Sequence, residues 1–419
     1  MRREGAPGEF WGQVEHLLIL SGMFPPMRGG LPDHTDRLAH ALSKDFRVTV
    51  LTSPGVDTDR PFAVRAEVTN WHDRDGLLHR VRAAAGEGPI LWQYVPHMYG
   101  RGGVNFAVPG AMEGLAQDGR RQVVLAHEIR APLSWWPHRG FYALSHRFMW
   151  RRVRKAADGI GISTGAWLER ERRRGPDAGI VSSSHGTQGA GPLGGKPVVT
   201  GVTGVRWFLA PSPSNIPVVR VDAGHCRAWR ASHGLEGAAQ VMAFFGSVGT
   251  GKQFDWVLEG WREARRRSEA TGLVVLGGRP DPHLTDEERR WFRALGYLGG
   301  EEISQALQTV DLLALPFEDG VSERRSSFMV GLAHGMAVLT TVGEGTGEEL
   351  RAGDFFRGVP LEAGGRGFAI AAGQGLAEVE MLRAMGERAL RRYAERYDWA
   401  CLAETIGRQL GERRSRVSG

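Results

Sequence analysis

Short apolar segments alternate with stretches of helical periodicity along the whole chain. In the first half the segments are His16–Leu20, Arg47–Thr52, Ile90–Tyr94, Gln122–Ala126 and Gly159–Ser163. In the second half they are Pro217–Val221, Val241–Phe245, Leu273–Leu276, Asp311–Leu315 and Ala337–Thr341. Between the segments, apolar residues recur at the spacing of one helix face, as in Phe254, Val257, Leu258 and Trp261. Strands separated by helices predict βαβ units, so we expect an α/β fold with a parallel sheet in each half.

The chain length fits two domains rather than one. A chain of 419 residues allows two domains of roughly 200 residues each. We predict an N-terminal Rossmann-like acceptor domain over 1–212, a C-terminal donor-binding domain over 213–395, and a segment 396–419 whose helix, Trp399–Leu410, returns to the first domain. Prolines in Pro211–Pro217 mark the boundary. Residues 172–205 are rich in Gly, Ser and Pro, and we interpret them as a poorly ordered insertion.

Composition places the chain among globular proteins. Hydrophobic residues make up 42% and charged residues 24%. No apolar run approaches the roughly 20 residues of a membrane span, and the N-terminus does not read as a signal peptide. The two cysteines, Cys226 and Cys401, are too few for a disulfide scaffold or a zinc site. We therefore expect a cytoplasmic protein, or one bound peripherally at the inner face of the membrane.

A net charge of +6 favours anionic partners. The densest basic cluster comprises Arg147, Arg151, Arg152, Arg154 and Lys155, followed by Arg170, Arg172, Arg173 and Arg174. Two interpretations stay open, a solvated helix face and a peripheral membrane contact through Arg147–Lys155. No zinc finger, RNP motif or basic zipper accompanies the cluster, so we expect no nucleic-acid partner.

A glycine-rich loop with one lysine follows the strand Val241–Phe245. Its sequence, Gly246-Ser-Val-Gly-Thr-Gly-Lys252, resembles a P-loop, but Gln253 stands where a P-loop has the Ser or Thr that binds magnesium. An NTPase is therefore disfavoured. Glycine amides with one lysine can still hold a diphosphate, which makes Gly246, Ser247 and Lys252 candidate binding residues, with a bare turn as the alternative.

Two arginines begin the helix after the strand Asp311–Leu315. The N-terminal end of a helix carries a partial positive charge, so arginines are unfavourable there unless an anion is bound at the helix start. The candidate anion-binding residues are Arg324, Arg325, Ser326 and Ser327. A structural salt bridge to Glu318, Asp319 or Glu323 is the competing interpretation.

Further candidates follow strands of the first half. Gly29 and Gly30 precede a helix begun by Pro32 and Asp33, where backbone amides can approach a ligand. No GxGxxG accompanies them, which argues against a dinucleotide-binding enzyme. At the end of Gln122–Ala126, His127 could bind a hydroxyl or act as a general base, or be purely structural. Polar and aromatic residues that suit a sugar acceptor, or core and turn positions, are Tyr94, His97, Asn105 and Glu128.

Taken together, these motifs resemble family 4 of the retaining glycosyltransferases, whose GT-B fold is two Rossmann-like domains facing across a cleft. The resemblance covers nearly the whole chain outside 172–205. It rests on PPMRGG, QYVPHMYG, AHE at 126–128, SNIP at 214–217, FFGSVGTGK, VVLGG at 274–278, GYLGGEEIS at 296–304 and the Arg-Arg-Ser-Ser helix ending AHGMAVLTT.

The resemblance implies transfer of a sugar from a nucleotide-diphosphate sugar to an acceptor hydroxyl with retention. Gly29 and Gly30 would approach the distal phosphate and sugar of the donor, and His127 would lie near the transferred sugar. Lys252 would neutralise the diphosphate, which the amides around Arg325–Ser327 would cradle. The acceptor would be a carbohydrate, a lipid-linked molecule or a small molecule. No DxD-type cluster is present, so neither a metal nor another cofactor is expected.

Two departures from the family pattern concern donor contacts. The family often has an arginine directly after the glycine of the lysine loop, where this chain has Ser247; Arg324 or Arg325 could compensate. The family's Glu-x7-Glu pair aligns with Ser322 and Val330, a pattern shared by a bacterial subgroup with an Arg-Arg-Ser helix. A nucleotide-sugar epimerase and a non-catalytic protein that binds sugar-nucleotides or polysaccharide therefore remain alternatives.

Overall fold

A computed structural model describes residues 15–27, 29–129, 137–173, 204–249 and 251–411. The chain forms two compact units by its internal contacts. Of the described residues, the first unit contains those up to 161, 204–207 and 405–411, and the second contains 162–173 and those between 208 and 404. Each unit is built on one sheet, and the predicted helix before the C-terminus is present as Trp399–Gly411.

The first sheet has seven strands in the order β3-β2-β1-β4-β5-β6-β7. They are β1 (His16–Leu20), β2 (Arg47–Leu51), β3 (Ala63–Arg65), β4 (Ile90–Tyr94), β5 (Gln122–Ala126), β6 (Gly159–Ile162) and β7 (Arg206–Leu209). The pairs β1–β2, β1–β4, β2–β3 and β4–β5 are parallel. The helices between these strands along the chain are α1 (Gly30–Leu42), α2 (Arg74–Ala85), α3 (Pro96–Tyr99), α4 (Ala107–Gln117), α5 (Pro137–Ala156) and α6 (Gly165–Arg173). Of these, α6 clusters with the second unit.

The second sheet has six strands in the order β10-β9-β8-β11-β12-β13. They are β8 (Gln240–Phe245), β9 (Thr271–Leu276), β10 (Phe292–Gly296), β11 (Leu312–Leu315), β12 (Val338–Val342) and β13 (Arg357–Pro360), all paired in parallel. The helices are α7 (Ala223–Ser232), α8 (Phe254–Arg267), α9 (Asp286–Trp291), α10 (Gly300–Leu307), α11 (Ser326–Ala333), α12 (Glu348–Arg351), α13 (Gly364–Ala377), α14 (Val379–Arg396) and α15 (Trp399–Gly411).

Both faces of the second sheet are buried, which is why its strands read as continuous apolar runs. Along β8, Val241 and Ala243 join one hydrophobic cluster, and Met242 and Phe244 join the other. Successive side chains of a strand point to opposite faces, so helices that cover both faces require apolar residues at every position. The buried parallel sheets confirm the predicted α/β class.

The C-terminal residues of α15 cluster with the first unit. Arg206 donates from Nε to Gln409 Oε1 at 3.0 Å and from Nη2 to the Gln409 carbonyl oxygen at 2.8 Å. Arg121 donates to the carbonyl oxygen of Leu410 at 2.6 Å. These bonds satisfy carbonyl groups of the last helical turn, which lack partners within the helix.

The predicted strand Pro217–Val221 is wrong. Its backbone bonds to side chains of α10 and the turn after it instead of to a neighbouring strand: the Val219 amide donates to Ser304 Oγ at 2.8 Å, and Gln308 donates to the Val219 carbonyl. The edges of the first sheet are formed by β3 and β7, neither of which was predicted. In the second sheet, β10 and β13 were also not predicted.

The predicted insertion at 172–205 lies largely outside the described residues. At its ends, Arg172 and Arg173 belong to α6, and Val205 is buried directly before β7. Within the described part of the chain, no helix is both long enough and apolar enough to span a membrane.

Candidate functional site

In the loop after β8, the ammonium group of Lys252 contacts the backbone of Phe245 and Gly246. Lys252 Nζ donates a hydrogen bond of 2.7 Å to the carbonyl oxygen of Phe245, the last residue of β8. The ammonium also lies so close to Gly246 that a β-carbon there would overlap it. Gly246 has φ 119°, a conformation that favours glycine. The predicted loop residues Gly246 and Lys252 therefore form one unit, while Ser247 is exposed.

Lys252 lies in an apolar setting. Its Nζ is 5.3 Å from the ring centroid of Phe244 and 5.6 Å from that of Phe317. Burial, together with the charge of Arg325, lowers the pKa of Lys252 to about 8. A partly desolvated ammonium of this kind is stabilised when an anion binds beside it.

Arg325, the residue directly before α11, also lies over the ring of Phe317. Its guanidinium carbon lies 4.8 Å from the Phe317 centroid, and it pairs with Asp319. The Nε of Arg325 is buried and has no hydrogen-bond partner among the described residues. A β-carbon at Gly251 would be 3.5 Å from Arg325 Nη1, so the guanidinium borders the lysine loop. Two cations thus converge on Phe317, and one of them, Arg325, is paired with Asp319.

The neighbouring Arg324 is directed elsewhere. Its guanidinium carbon stacks 4.7 Å from the ring centroid of Trp167 on α6, and it lies 3.9 Å from Asp319. Both arginines thus lie near Asp319, one of the three acidic residues that the salt-bridge interpretation names. Glu318 is exposed and Glu323 bonds to α6.

The first turn of α11 offers backbone donors. The first bonds inside this turn run from the amides of Phe328 and Met329 to the Arg325 carbonyl. The preceding amides, those of Ser326 and Ser327, have no acceptor within a helix that begins here. Ser326 is exposed and Ser327 is buried.

The strand order explains why these groups meet. β8 and β11 are neighbours, although the chain passes through β9 and β10 between them. In open α/β sheets, ligands bind beyond the carboxyl ends of the two strands at which the order reverses. The Lys252 loop follows β8 and the Arg325 turn follows β11, so both lie at this position in the second unit.

Glu323 is a buried carboxyl group directly before the arginines. It is 0% exposed, and its Oε2 accepts a 3.0 Å hydrogen bond from the amide of Gly165, the first residue of α6. Its Oε1 has no hydrogen-bond partner within the described ranges. Burial, followed by weaker repulsion from Glu349 and Glu169, raises the pKa of Glu323 to about 7. The carboxyl group thus fastens α6 to the turn that carries Arg325.

In the first unit, His127 is held by its neighbours. Its Nε2 lies 2.6 Å from Gln93 Oε1, and its ring packs edge to face on His34, with centroids 4.6 Å apart. An amide oxygen accepts, so Nε2 carries the proton and Nδ1 is left as the acceptor. Burial lowers the pKa of His127 to about 4, which keeps the imidazole neutral.

Four predicted binding residues of the first unit are exposed to solvent. Gly29 and Gly30 are exposed at the start of α1, which begins at Gly30 rather than at Pro32, and Gly29 has φ 146°. Arg28, part of the same motif, lies outside the described residues. His97 and Glu128 are exposed, and the His97 ring packs against His146 at 5.4 Å.

Tyr94 and Asn105 belong to the core, so the structure does not favour them as acceptor residues. Tyr94 is 1% exposed and packs on Trp150 at 5.6 Å between ring centroids. Asn105 donates to the carbonyl groups of Trp71 and Tyr99 and accepts from the Val108 amide. An asparagine that closes a loop onto the next helix in this way has a structural role.

Several residues that shape the site carry little or no signal in the sequence. Phe317 is an apolar residue after a strand, and nothing in its type signals contact with two cations. His34 carried a weak signal, since it is a histidine on the inward face of a helix that follows paired glycines. Among the described residues, no group of three or more His, Cys, Asp or Glu side chains could hold a metal ion.

No protein-family model matches the chain, and no curated protein sequence matches it. Solved structures with the same fold do. Sucrose-phosphate synthase from Thermosynechococcus elongatus aligns with a TM-score of 0.59 at 14% identity, over 94% of this chain and 98% of that one. The Anabaena protein HepE in complex with UDP aligns with a TM-score of 0.63 at 11% identity, over 94% and 99%.

A third similar structure is an α,α-trehalose-phosphate synthase (UDP-forming) from Burkholderia xenovorans in complex with glucose-6-phosphate. It aligns with a TM-score of 0.59 at 11% identity, over 95% of this chain and 100% of that one. At these identities the similarity establishes the fold. The chain has two Rossmann-like domains with parallel sheets of seven and six strands, which confirms the predicted GT-B fold.

Proposed function

We propose that this protein is a glycosyltransferase that binds a nucleotide-diphosphate sugar through its second unit. The observation that carries the proposal is the convergence of Lys252 and Arg325 on Phe317 at the carboxyl ends of β8 and β11. Two like charges in an apolar setting repel each other, and a diphosphate between them would remove that cost. The amides of Ser326 and Ser327 add donors at the positive end of a helix.

The cations would act on the leaving group. When the bond between the anomeric carbon and the diphosphate oxygen breaks, the electron pair stays on the diphosphate, and Lys252 and Arg325 stabilise that charge. The acceptor oxygen then bonds to the anomeric carbon from the same face, and its proton passes to the departing diphosphate. This sequence gives retention of configuration and needs charge stabilisation more than a carboxylate acid.

The donor class follows from the cation pair together with the structural neighbours. HepE forms complexes with UDP and with UDP-glucose. We therefore propose a UDP-sugar as the first donor to test, and a carbohydrate, lipid-linked or small-molecule acceptor. We further propose membership in family 4, in its subgroup with an Arg-Arg-Ser helix, because Ser322 and Val330 are buried where the family has its glutamate pair.

The setting we propose is the cytoplasm. Cys226 and Cys401 are both free in the structure. A chain that keeps its thiols unpaired suits a reducing compartment.

The test is titration calorimetry with UDP-glucose on the wild type and on two matched variants. We expect Arg325→Ala to weaken donor binding roughly tenfold or more, since a charge-assisted hydrogen bond contributes about 1.5–3 kcal/mol. Arg324→Ala removes the same charge from a side chain that stacks on Trp167, and it should change the affinity less. Equal affinity in the wild type and Arg325→Ala would refute the proposed donor site.

An activity assay distinguishes a glycosyltransferase from a nucleotide-sugar epimerase and from a non-catalytic binding protein. Incubation with UDP-glucose and a pool of sugar and lipid-linked acceptors should yield UDP and a glycosylated acceptor, detected by mass spectrometry. An isomerised sugar or free UDP-sugar epimer without transfer would identify an epimerase. Donor binding with neither hydrolysis nor transfer would identify a binding protein.

A further inference from the structure

Helix α5 exposes a row of large apolar side chains on the first unit. Phe141, Leu144 and Phe148 are 59%, 62% and 57% exposed. They lie three and four residues apart, so they line one side of the helix. Single exposed apolar residues are common, but three in one row form a continuous patch that marks an interaction surface.

The opposite side of α5 already packs into the core. Ala143, Met149, Trp150 and Val153 are each at most 2% exposed. The exposed row is therefore a second apolar face, additional to the one that the fold of the unit requires. Phe106, at the start of α4, extends it, since its ring lies edge to face on Phe148 with centroids 5.9 Å apart and is 42% exposed.

Basic residues share this surface. Arg151 and Lys155 are exposed seven and eleven residues after Leu144, which places them along the same side of the helix, and Arg147 borders them. The 20 residues of α5 include no aspartate or glutamate. Glu113 of α4 is bound to Arg152 of α5 at 2.8 Å, so its charge is compensated by an arginine outside the row. We refer to Phe106, Phe141, Leu144, Phe148, Arg147, Arg151 and Lys155 as the α5 face.

We propose that the α5 face docks the protein on an anionic phospholipid membrane. Aromatic and leucine side chains enter the boundary between headgroups and acyl chains, and arginine and lysine bind the phosphate groups. A second copy of this chain would instead bring the same cations, of which Lys155 is partly offset by Glu113, against each other. The charge of the surface therefore favours lipid over self-association, and this inference does not depend on the proposed catalytic function.

The experiment is co-sedimentation of the full chain with vesicles. Vesicles of phosphatidylglycerol and phosphatidylcholine in equal parts should bind the protein at low salt, and vesicles of phosphatidylcholine alone should bind it far less. The triple variant Phe141→Ser, Leu144→Ser, Phe148→Ser should lose roughly tenfold or more in partitioning. The double variant Arg151→Gln, Lys155→Gln should lose a similar factor on anionic vesicles only, with the remaining binding less sensitive to salt.

Matched controls lie in the second unit, where Val379 and Leu390 of α14 are 55% and 48% exposed. The variant Val379→Ser, Leu390→Ser should bind vesicles as the wild type does, and all variants should keep the wild-type circular dichroism spectrum. Binding that is unchanged in the triple variant, or lost equally in the control, overturns the proposal. So does a wild type that ignores anionic vesicles. Dimerisation of the wild type in analytical ultracentrifugation, if abolished by the triple variant, would assign the face to a second copy instead.

Discussion

The ammonium group of Lys252 occupies the space that a side chain at Gly246 would need. A β-carbon at residue 246 would overlap Lys252 Nζ, which donates its 2.7 Å hydrogen bond to the adjacent Phe245 carbonyl. Gly246 therefore has two roles. It adopts φ 119°, and its lack of a side chain leaves room for the Lys252 ammonium beside the backbone. The position of the lysine and the residue type at 246 are coupled.

Substitution Gly246→Ala should reduce donor affinity by displacing the lysine. The added methyl group forces Nζ away from the Phe245 carbonyl, so the charge leaves its place beside Arg325. We expect UDP-sugar binding to weaken roughly tenfold, the scale of one charged hydrogen bond. Titration calorimetry measures the effect.

Gly249→Ala is the matched control for that variant. Gly249 has φ 116°, close to that of Gly246, yet a β-carbon there would meet nothing within 4 Å. An alanine there carries a similar backbone strain while its β-carbon stays clear of the ammonium, although the backbone of Gly249 pairs with that of Lys252. If both variants lose affinity equally, strain in the loop and not the displaced ammonium accounts for the loss.

Donor affinity should depend on pH through Lys252. Its pKa of about 8 in the free protein means that the ammonium is charged below that pH and becomes neutral above it. A bound diphosphate favours the charged form, so affinity for UDP-glucose should be highest below about pH 8 and should fall as pH rises further. Both phosphates of this donor stay ionised across that range, so the fall reports the protein. Calorimetry at several pH values gives the profile.

Lys252→Met tests the assignment of that titration. Its affinity should be lower at every pH and should no longer fall above pH 8. A variant that keeps the same fall with pH would show that a different group titrates.

The strands and the binding loops were predictable because each leaves a local signal. β1, β2, β4 and β5 are short apolar runs, and the loop after β8 combines glycines with a lysine. β3 and β13 are edge strands of three and four residues, with exposed positions and no apolar run. Each is held by backbone pairing with the preceding strand, β2 for β3 and β12 for β13, and an apolar pattern does not show such pairing.

In the candidate site, too, the residue types could be predicted from the sequence but their contacts could not. Lys252 and Arg325 were recognisable from residue type and loop position. Their meeting on Phe317 depends on the order of β8 and β11 in the sheet, which no local sequence pattern encodes. Tyr94 illustrates the converse, because it is the last residue of β4, a position where ligand-binding residues occur, and yet its side chain is buried in the core.

Glu323→Gln should stabilise the protein at neutral and alkaline pH. The folded-state pKa of about 7 lies above the ordinary value of 4.5, so the folded protein holds a proton that the unfolded chain releases. Wild-type stability should therefore fall as pH rises from about 4.5 to 7 through this group. Glutamine keeps an oxygen for the Gly165 amide and carries no charge. We expect a gain of roughly 2–3 kcal/mol at pH 8 and little gain near pH 4, measured by urea unfolding.

Glu169→Gln is a suitable comparison for Glu323→Gln, because Glu169 is half-buried on α6. Because Glu169 contributes only a weak repulsion to the raised pKa of Glu323, this substitution should change the pH dependence of stability far less than Glu323→Gln does. A Glu323→Gln protein that is less stable than the wild type at pH 8 would contradict the raised pKa of Glu323.

His127 should support transfer as a neutral hydrogen-bonding residue. Its pKa of about 4 makes it a weak base at neutral pH, and its Nε2 proton is donated to Gln93. If His127 contacts the transferred sugar, as the family resemblance implies, His127→Ala should lower kcat roughly tenfold to a hundredfold, the scale of a lost hydrogen bond, whereas His127→Gln should retain more of it. The wild-type kcat should show no rise between about pH 5.5 and 7, since a group with this pKa is already neutral there. A rise centred near pH 6.5 that disappears in His127→Gln would instead show that His127 titrates near its ordinary pKa and acts as the base. Steady-state transfer assays across that pH range decide between the two.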